Sequence, residues 1–481
     1  MWRALGIGAV CLVVAGVASA SPANDVHAWV TTAIPQTALR IAGKGPRLSA
    51  LSSDGRVAVV ADSRGAYLFH VSSEGSWGAN SKPSAKLRVP RSRLANLSAV
   101  ALSSDGTTVL VAVGAVGSRR AEVLVFRRSS PGAWRLSARL TNAADPAGFG
   151  SGIALSSDGT TALVGNRGGA DVFHVKSADS WRDSSAPTAT LVADRLGAEV
   201  GGTSTAVALS ADGTTALLGT TSDSTFVGAA YVFRAVAPGA WVSSPTPEAI
   251  LTDGYVGQFG DDFGAAVALS PDGRTALVGA PDLASGPAGA AYLFQVRKPD
   301  AWTTTSHPDA ILERATGEVP GWSVALSGDG TALVGEPSIF GRNSAAVLSH
   351  TGGPDRSWSP GTSSRARLSN AASPPRDLFG AAVSLSSDGT TALVSSVRSS
   401  FVFTRAGSRS ASYCYVPYVT GDMLRSARRA IESTRCRVGK ISHVLGSRAR
   451  SGRVISQRPR PGERLVKGTG VNLKVSERRG G

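Results

Sequence analysis

The sequence is dominated by one short motif, Leu-Ser-x-Asp-Gly, which occurs seven times along the chain. Its clearest surroundings are residues 263–281, FGAAVALSPDGRTALVGAP, where an apolar stretch leads into the Ser/Asp/Gly cluster and a second one leads out. Two apolar stretches joined by such a cluster predict a β-hairpin. The seven motif aspartates are Asp54, Asp105, Asp158, Asp212, Asp272, Asp329 and Asp388.

Two further strand-like stretches follow each hairpin. The third is typified by Ala290 to Phe294 (AAYLF), and a tryptophan opens the fourth, which ends in a Pro-x-Ala-x-Leu pattern. Successive motif aspartates are 51, 53, 54, 60, 57 and 59 residues apart. A repeat of this length holding four short strands predicts a β-propeller, in which each unit is one blade. The tryptophans that share this place are Trp29, Trp77, Trp134, Trp181, Trp241, Trp302 and Trp358.

The predicted fold is therefore all-β, a seven-bladed propeller of four-stranded blades over residues 27–404. The first tryptophan stretch, Trp29 to Leu39, precedes any hairpin motif, and the last unit stops at its third strand, Ser400 to Phe403. We expect the N-terminal strand to complete the blade begun at the C-terminal end. This closure ties the ring shut and removes the exposed edges that an open array would present.

Residues 1–20 have the pattern of a secretory signal peptide. Arg3 precedes an apolar run from Ala4 to Val17, and Ala18-Ser19-Ala20 forms a cleavage site. A membrane anchor is the alternative, but the run is too short and no stop-transfer charges follow it. Because no later stretch could span a bilayer, we predict a protein without a transmembrane segment that is secreted or associated with the cell surface or wall.

The chain changes character after the propeller region. Residues 405–412 are small and polar without periodicity, which indicates a linker. Residues 413–477 then predict a small α+β domain with one amphipathic helix, Asp422 to Thr434. Its predicted strands are Tyr413 to Val419, Val438 to Val444, Val454 to Gln457 and Val471 to Val475.

Positive charge is concentrated in this last part. From Arg405 onward there are 18 Lys and Arg residues against four acids, so the tail carries +14 of the net charge of +16. Such a tail favours anionic partners, which include cell-wall polymers, lipid headgroups and nucleic acid. A solvated basic surface without a dedicated partner is the alternative interpretation.

Only Cys414 and Cys436 remain after removal of the predicted signal, which contains Cys11. A pair of cysteines in an exported protein predicts a disulfide bond. Two free thiols or an intermolecular bridge are the alternatives. A zinc site is disfavoured because four ligands are required and only His443 is nearby.

The repeat resembles the FG-GAP repeat of integrin-type propellers and many exported bacterial proteins. Its naming residues stand at Phe263-Gly264 and Gly279-Ala280-Pro281, with partial copies in other units. Many FG-GAP blades carry a calcium loop with several carboxylates, whereas each motif here offers a single one, so we predict no metal and no cofactor. Asp261, Asp262 and Asp282 could meet in the fifth unit, although a solvated loop is the favoured interpretation.

The C-terminal region resembles the PASTA domain of penicillin-binding proteins and bacterial Ser/Thr kinases. That resemblance implies a cell-envelope role and contact of residues 413–477 with peptidoglycan or another anionic wall polymer, although PASTA domains differ in whether they bind muropeptides. The disulfide would pin its first strand to its helix. The resemblance rests on Val416-Pro417, Gly421, Val438-Gly439, Val454-Ile455-Ser456-Gln457, Pro461-Gly462 and residues 471–476.

No catalytic motif occurs in the sequence, and its six histidines share no position in the repeat. We therefore predict a non-catalytic binding or scaffold protein with no catalytic residues and no specific nucleic-acid partner. Long loops such as Thr221 to Val227 and Pro281 to Gly289 would recognise a protein or glycan. The alternatives are an enzyme of the propeller mouth acting on cell-wall polysaccharide, and a purely structural surface protein.

Overall fold

The computed structural model describes residue 29 and residues 35–477, apart from short gaps. The predicted signal peptide, the linker residues 406–412, Trp358 and Asp282 lie outside the described residues, as do most of the two predicted recognition loops. The gaps are 42–47, 74–75, 78–81, 91–96, 115–119, 131, 144–147, 194–204, 222–227, 255–260, 282–288, 313–319, 338–345, 349–365, 370–376, 406–412, 417–418, 434–435, 446–450, 460–463 and 467.

The described residues before the linker form seven four-stranded antiparallel sheets, one for each copy of the motif. We number them as blades 1 to 7 in motif order. The first strands are Leu48–Leu51, Leu97–Leu102, Ile153–Leu155, Thr205–Leu209, Ala266–Leu269, Ser323–Leu326 and Ala382–Leu385. The second strands are Val57–Asp62, Thr108–Val113, Thr161–Asn166, Thr215–Thr220, Thr275–Ala280, Ala332–Gly335 and Thr391–Ser395.

First strands of successive blades contact one another around the ring, and that of blade 7 contacts that of blade 1. This arrangement confirms the propeller fold and places the first strands innermost. The third strands are Gly65–His70, Glu122–Ser130, Gly169–His174, Ala229–Arg234, Ala290–Gln295, Ala346–Leu348 and Ser400–Thr404. The fourth strands, in blades 1 to 7, are Ala85–Leu87, Ala133–Leu140, Ala189–Val192, Ala249–Leu251, Ala310–Leu312, Ala366–Leu368 and Thr37–Leu39.

The N-terminal strand completes blade 7, as the phase of the repeats predicts. Thr37–Leu39 pairs antiparallel with the third strand of that blade, with Thr37 opposite Val402 and Leu39 opposite Ser400. Leu39 is fully buried in this position. The two ends of the propeller sequence therefore share one sheet, and the ring is closed by backbone hydrogen bonds.

The fourth strands are shorter than the sequence suggests. Most of the repeat tryptophans do not open the fourth strand but lie before it, in the connection from the third strand. Trp241, for example, lies eight residues before Ala249–Leu251, in the connection from the third strand. Its indole is buried and donates a hydrogen bond of 2.9 Å to the carbonyl oxygen of Gly213 in the motif turn. Among the tryptophans that the structure describes, Trp134 is the exception, since it lies within the strand Ala133–Leu140.

The two glycines of the FG-GAP pattern allow neighbouring blades to approach closely. A Cβ atom at Gly279 would lie 2.0 Å from the carbonyl oxygen of Gly321, which precedes the first strand of the next blade. Gly264 has a φ of +93°, which favours glycine, and a Cβ there would meet the backbone of Thr220 in blade 4. Phe263 beside it is fully buried and packs edge-on against Phe294, with ring centroids 6.3 Å apart.

Outer strand edges are covered between several blades. Thr305, three residues after Trp302, forms a parallel bridge with Leu251 of the preceding blade. Its amide donates to Ile250 at 3.0 Å, and its carbonyl accepts from Thr252 at 3.1 Å. The equivalent segments of blades 3 and 4 cover the preceding outer strands in the same way, which leaves less free edge for pairing with another chain.

The C-terminal domain is a small α+β unit, as predicted. Its helix, Leu424–Ser433, is shorter than expected, and strand Arg464–Val466, which the sequence analysis did not identify, pairs with Tyr413–Tyr415. Among the described residues, no helix is long and apolar enough to cross a membrane. The remaining strands, Arg437–Leu445, Gly470–Glu477 and Val454–Arg458, form a second sheet in that spatial order.

Candidate functional site

The ring has two faces, which the strand directions define. The turn face carries the seven Ser-x-Asp-Gly turns and the connections from third to fourth strands. The loop face carries the connections from second to third strands and from one blade to the next. Both predicted recognition loops, Thr221 to Val227 and Pro281 to Gly289, connect second to third strands and therefore belong to the loop face.

Each motif aspartate acts within its own turn, as predicted. The motif serine hydroxyl donates to the aspartate Oδ1 at 2.6–2.7 Å in all seven turns. The backbone amide two residues after the aspartate donates to the same oxygen at 3.0–3.3 Å. In blade 5, burial opposes ionisation, but the bond from Ser270 and the charge of Arg274 hold the pKa of Asp272 below its usual range. These carboxylates stabilise their turns, and Asp329 in addition forms an ion pair with Arg405, whose Nη1 lies 2.9 Å from Asp329 Oδ2.

Residues at the variable position of the motif join the turns to one another at the centre of the turn face. Ser157 donates its amide to Ala211 at 2.9 Å, Ala211 donates to Pro271 at 2.9 Å, and Ser387 donates to Ser53 at 2.9 Å. Pro271 has no N–H to continue this pattern toward blade 6. The remaining links are Ser104 to Ser157, Gly328 to Ser387, and the paired hydroxyls of Ser53 and Ser104.

The innermost strands that the structure describes offer no side chain of the kinds that commonly act as acid, base or nucleophile through a charged or titratable group. Their sequences are LSAL, LSAVAL, IAL, TAVAL, AVAL, SVAL and AVSL, so the described strands around the axis carry no carboxylate, imidazole, amine or thiol. Aliphatic and hydroxyl side chains can offer van der Waals contacts and neutral hydrogen bonds. General acid–base catalysis needs a titratable group, which would have to come from another part of the chain.

One carboxyl pair lies in the loop-face connection leading into blade 5. Asp261 shares a side-chain hydrogen bond with Asp253, and the amide of Phe263 donates to Asp261 at 3.1 Å. Burial and the neighbouring Asp253 raise the pKa of Asp261 to about 7. Over the part of the chain that the structure describes, no group of three or more His, Cys, Asp or Glu residues could hold a metal ion.

The core of the C-terminal domain lies between its helix and one face of the second sheet. Ala427 and Ile431 of the helix are fully buried against Val471, Leu473 and their neighbours. The sheet residues between them point the other way, because successive side chains of a strand alternate between faces. One sheet face is therefore used for packing and the opposite face is open.

This open face is basic and polar, and we call it the basic sheet face. Lys474, in the central strand, lies between Ser442 and Ser456 of the flanking strands. One row further, Arg458 lies opposite Asn472, whose side-chain oxygen accepts from the amide of Lys440 at 2.7 Å. The exposed residues of this face are Lys440, Ser456, Arg458, Asn472 and Lys474.

The helix exposes a second group of positive charges, Arg425, Arg428 and Arg429. His443 faces Glu477 at 3.7 Å on the sheet. The domain therefore has cations on two sides and few acids to neutralise them, which gives its surface a positive electrostatic potential.

The cysteines occupy neighbouring elements of the C-terminal domain. Cys414 lies in strand Tyr413–Tyr415, and Cys436 is 5% exposed in the core just before strand Arg437–Leu445. Because the side chain of Cys414 is outside the described set, the disulfide between them stays a prediction.

Comparison with known proteins agrees with this two-part architecture. Residues 415–477 match the PASTA domain, and residues 246–294 match the FG-GAP repeat. Among solved structures, the chain is similar to the C-terminal WD40 domain of Sif2, with 11% identity over 78% of this chain and 99% of that chain, and a TM-score of 0.47. It is also similar to hydrazine synthase of Kuenenia stuttgartiensis, with 14% identity, the same coverage and a TM-score of 0.49. No curated protein matches the chain.

The topology and the two family matches define an FG-GAP-type β-propeller followed by a PASTA domain. Both modules are typical of extracellular and cell-envelope proteins. The structure brings Asp261 together with Asp253, which is not one of the two carboxylates, Asp262 and Asp282, that the sequence offers as its neighbours. A contact between two residues eight positions apart in a connection between strands leaves no periodic signal in a sequence.

Proposed function

We propose that this chain is an exported, non-catalytic binding or scaffold protein of the bacterial cell envelope. Its PASTA domain binds peptidoglycan or another anionic wall polymer, and its propeller is the platform on which a protein or glycan is recognised. The protein is secreted and retained at the wall. The basic sheet face of the PASTA domain carries this proposal.

The charge distribution supports different roles for the PASTA domain and the propeller. The C-terminal part holds +14 of the net +16, so the propeller is nearly neutral and the attraction to a polyanion resides in the PASTA domain. Lys440, Arg458 and Lys474 lie on one open face where a polymer could contact them together. Charge-assisted hydrogen bonds to carboxylates or phosphates would fix its position.

The non-catalytic role is supported by the make-up of the ring. The motif aspartates are used in their own turns, and the described innermost strands offer no titratable side chain. No observation favours the propeller-mouth enzyme over the binding platform. The Cys414–Cys436 disulfide would stabilise the small PASTA domain in an oxidising compartment by about 3 kcal/mol.

The test is sedimentation of the full chain, without residues 1–20, with purified protein-free cell wall at low and high salt. Binding that persists at high salt and is lost on reduction supports a folded wall-binding domain. Binding that disappears with salt and is unchanged by reduction contradicts it, because that is the behaviour of non-specific attraction by a basic chain that needs no folded domain. Release of soluble sugars from the wall would contradict the non-catalytic role.

A further inference from the structure

Three hydrogen bonds recur where a segment of one blade covers the outer strand of the preceding blade. In blade 4, the amide of the middle residue, Ile250, donates to Thr304 Oγ1 at 3.1 Å, and its carbonyl oxygen accepts from the amide of Thr305 at 3.0 Å. The amide of Thr252 donates to the carbonyl oxygen of Thr305 at 3.1 Å. One dipeptide, Thr304-Thr305, therefore satisfies the outward-facing backbone groups of this edge.

Equivalent dipeptides cover the outer strands of blades 2 and 3. In blade 2, Asp183 Oδ1 accepts from the amide of Arg139 at 2.8 Å, and the amide of Ser184 donates to the carbonyl oxygen of Arg139 at 3.0 Å. In blade 3, Ser243-Ser244 forms the same two bonds with Thr190, at 3.1 and 3.0 Å. Each of these three covers runs parallel to its strand, and each consists of Asp, Ser or Thr followed by Ser or Thr.

Blade 2 cannot supply such a cover for blade 1. The covers belong to the connections between third and fourth strands, which run over residues 175–188, 235–248 and 296–309 in blades 3, 4 and 5. In blade 2, this connection is a tight hairpin in which Ser130 pairs directly with Ala133, so it is too short to reach the neighbouring outer strand. Trp134 and Leu136 of this hairpin pack against the apolar core that blades 1 and 2 share.

The outer strand of blade 1, Ala85–Leu87, therefore has an open backbone edge. Lys86 lies opposite Tyr67, at the register position that Ile250 occupies in blade 4, so its N–H and C=O point away from the third strand. Across the described residues, no hydrogen bond reaches these two groups or the N–H of Arg88. The side chain of Lys86 lies on the sheet face, with its ammonium 5.0 Å from the centroid of the Tyr67 ring.

We propose that this open edge is a binding site for an extended segment of a partner protein that contains Asp-Ser or Asp-Thr. The segment adds a parallel strand to blade 1, which is a common mode of peptide recognition. Its carboxylate accepts from the amide of Lys86, the next amide donates to the carbonyl oxygen of Lys86, and the carbonyl of that same residue accepts from the amide of Arg88. The cover of blade 2 is the structural precedent for all three bonds.

The charge of the edge selects an acidic partner. Lys82, Lys86 and Arg88 are all exposed there, which favours Asp over Ser or Thr at the first position. Asp183 occupies that position in blade 2, where the residue that it covers, Arg139, is also a cation. This inference rests on the proposed role of the propeller as a recognition platform, and it specifies an extended acidic peptide as the ligand and the flank of the ring as its site.

The test is binding of a fluorescein-labelled peptide to the full chain without residues 1–20, measured by fluorescence anisotropy with no cell wall present. The peptide has the sequence of residues 179–188, DSWRDSSAPT, which contains the cover of blade 2. We expect saturable binding with a Kd below about 1 mM. No saturable binding in this range would overturn the inference. Sedimentation with the wall tests the proposed function separately, so failure of one is distinguishable from failure of the other.

Two variants of Arg88 separate backbone pairing from charge. R88P and R88Q both remove the cation, but only R88P removes the N–H, and proline is tolerated where the N–H of an edge strand faces solvent. We expect binding to weaken at least about fivefold in R88P and by less than about twofold in R88Q. Equal losses in the two variants, or unchanged binding by R88P, would overturn the inference.

A modified peptide provides the same test on the unchanged protein, which decides the matter if thermal unfolding shows that R88P does not fold. N-methylation of the peptide at the position of Ser184 removes the N–H that donates to Lys86 without altering charge. We expect this peptide to bind at least about fivefold more weakly than the parent peptide. Equal affinities of the two peptides would contradict pairing at the edge.

Discussion

The indole Nε1 of Trp29 donates a hydrogen bond of 3.0 Å to the carbonyl oxygen of Gly389, 360 residues later in the chain. The same bond joins Trp241 to Gly213 within a blade built from continuous sequence. The N-terminal segment therefore occupies the place that the missing part of the seventh repeat would fill. Closure of the ring depends on this segment and on strand Thr37–Leu39.

Replacement of Trp29 by phenylalanine should lower the free energy of unfolding by about 1–3 kcal/mol, because the buried carbonyl of Gly389 loses its donor. W241F is the matched control, since it removes the same bond away from the closure. Deletion of residues 25–40 should be far more destabilising than either variant, because the outer strand of blade 7 is lost. Thermal unfolding measures all three, and an unchanged midpoint for the deletion would contradict the closure.

Substitution of Gly279 by alanine should destabilise the propeller strongly, by about 3 kcal/mol or more, because the new Cβ would collide with the backbone of the next blade. G132A is the control, since a Cβ at Gly132 would meet nothing within 4 Å. Its loss of unfolding free energy should come only from the backbone strain of an alanine at a φ of +78°. That strain amounts to about 1 kcal/mol. Equal shifts of the chemical denaturation midpoint in G279A and G132A would show that contact between blades is not the reason for a glycine at position 279.

Asp261 should make stability depend on pH. Its folded-state pKa of about 7 is raised above the ordinary value of 3.8, so the folded state binds the proton more tightly than the unfolded state. Its contribution is therefore fully present below pH 4 and is lost as the pH rises toward 7 and above.

The D261N variant replaces the acid with a neutral amide of the same shape. At pH 7.5, we expect its melting temperature to exceed that of the wild type by on the order of 2 °C, and we expect the difference to shrink as the pH falls and to vanish below about pH 4. D309N, which changes an exposed-loop carboxylate outside this pair, is the control. A D261N advantage that grows with acidity would contradict the assigned direction.

The disulfide prediction can be checked by peptide mapping of the unreduced protein. We expect a linked peptide that contains Cys414 and Cys436, and a loss of about 3 kcal/mol in stability of the PASTA domain in C414S. The double variant C414S/C436S should be no less stable than C414S, because the covalent link is already absent. Two alkylated thiols in the native protein would refute the pairing.

The turns and their hairpins could be predicted because Ser-x-Asp-Gly encodes its geometry locally, through the serine–aspartate hydrogen bond and a glycine with positive φ. Strand Arg464–Val466 could not be predicted, because three residues are too few to show an alternation of apolar and polar side chains. Its partner strand also lies about fifty positions away in the sequence. The Arg405–Asp329 ion pair joins two residues 76 positions apart in consecutive repeats, and no motif in the sequence indicates that they should meet.

The central claim, that the basic sheet face binds the wall, is tested most directly by comparing two charge-matched variants of the full chain. K440Q/K474Q/R458Q removes three cations from that face, and R64Q/R167Q/K176Q removes three exposed cations from the propeller. We predict that sedimentation with protein-free wall falls at least about tenfold for the first variant, equivalent to 1.4 kcal/mol, and stays near wild type for the second. Equal losses would contradict the account, because they would show that only net charge matters.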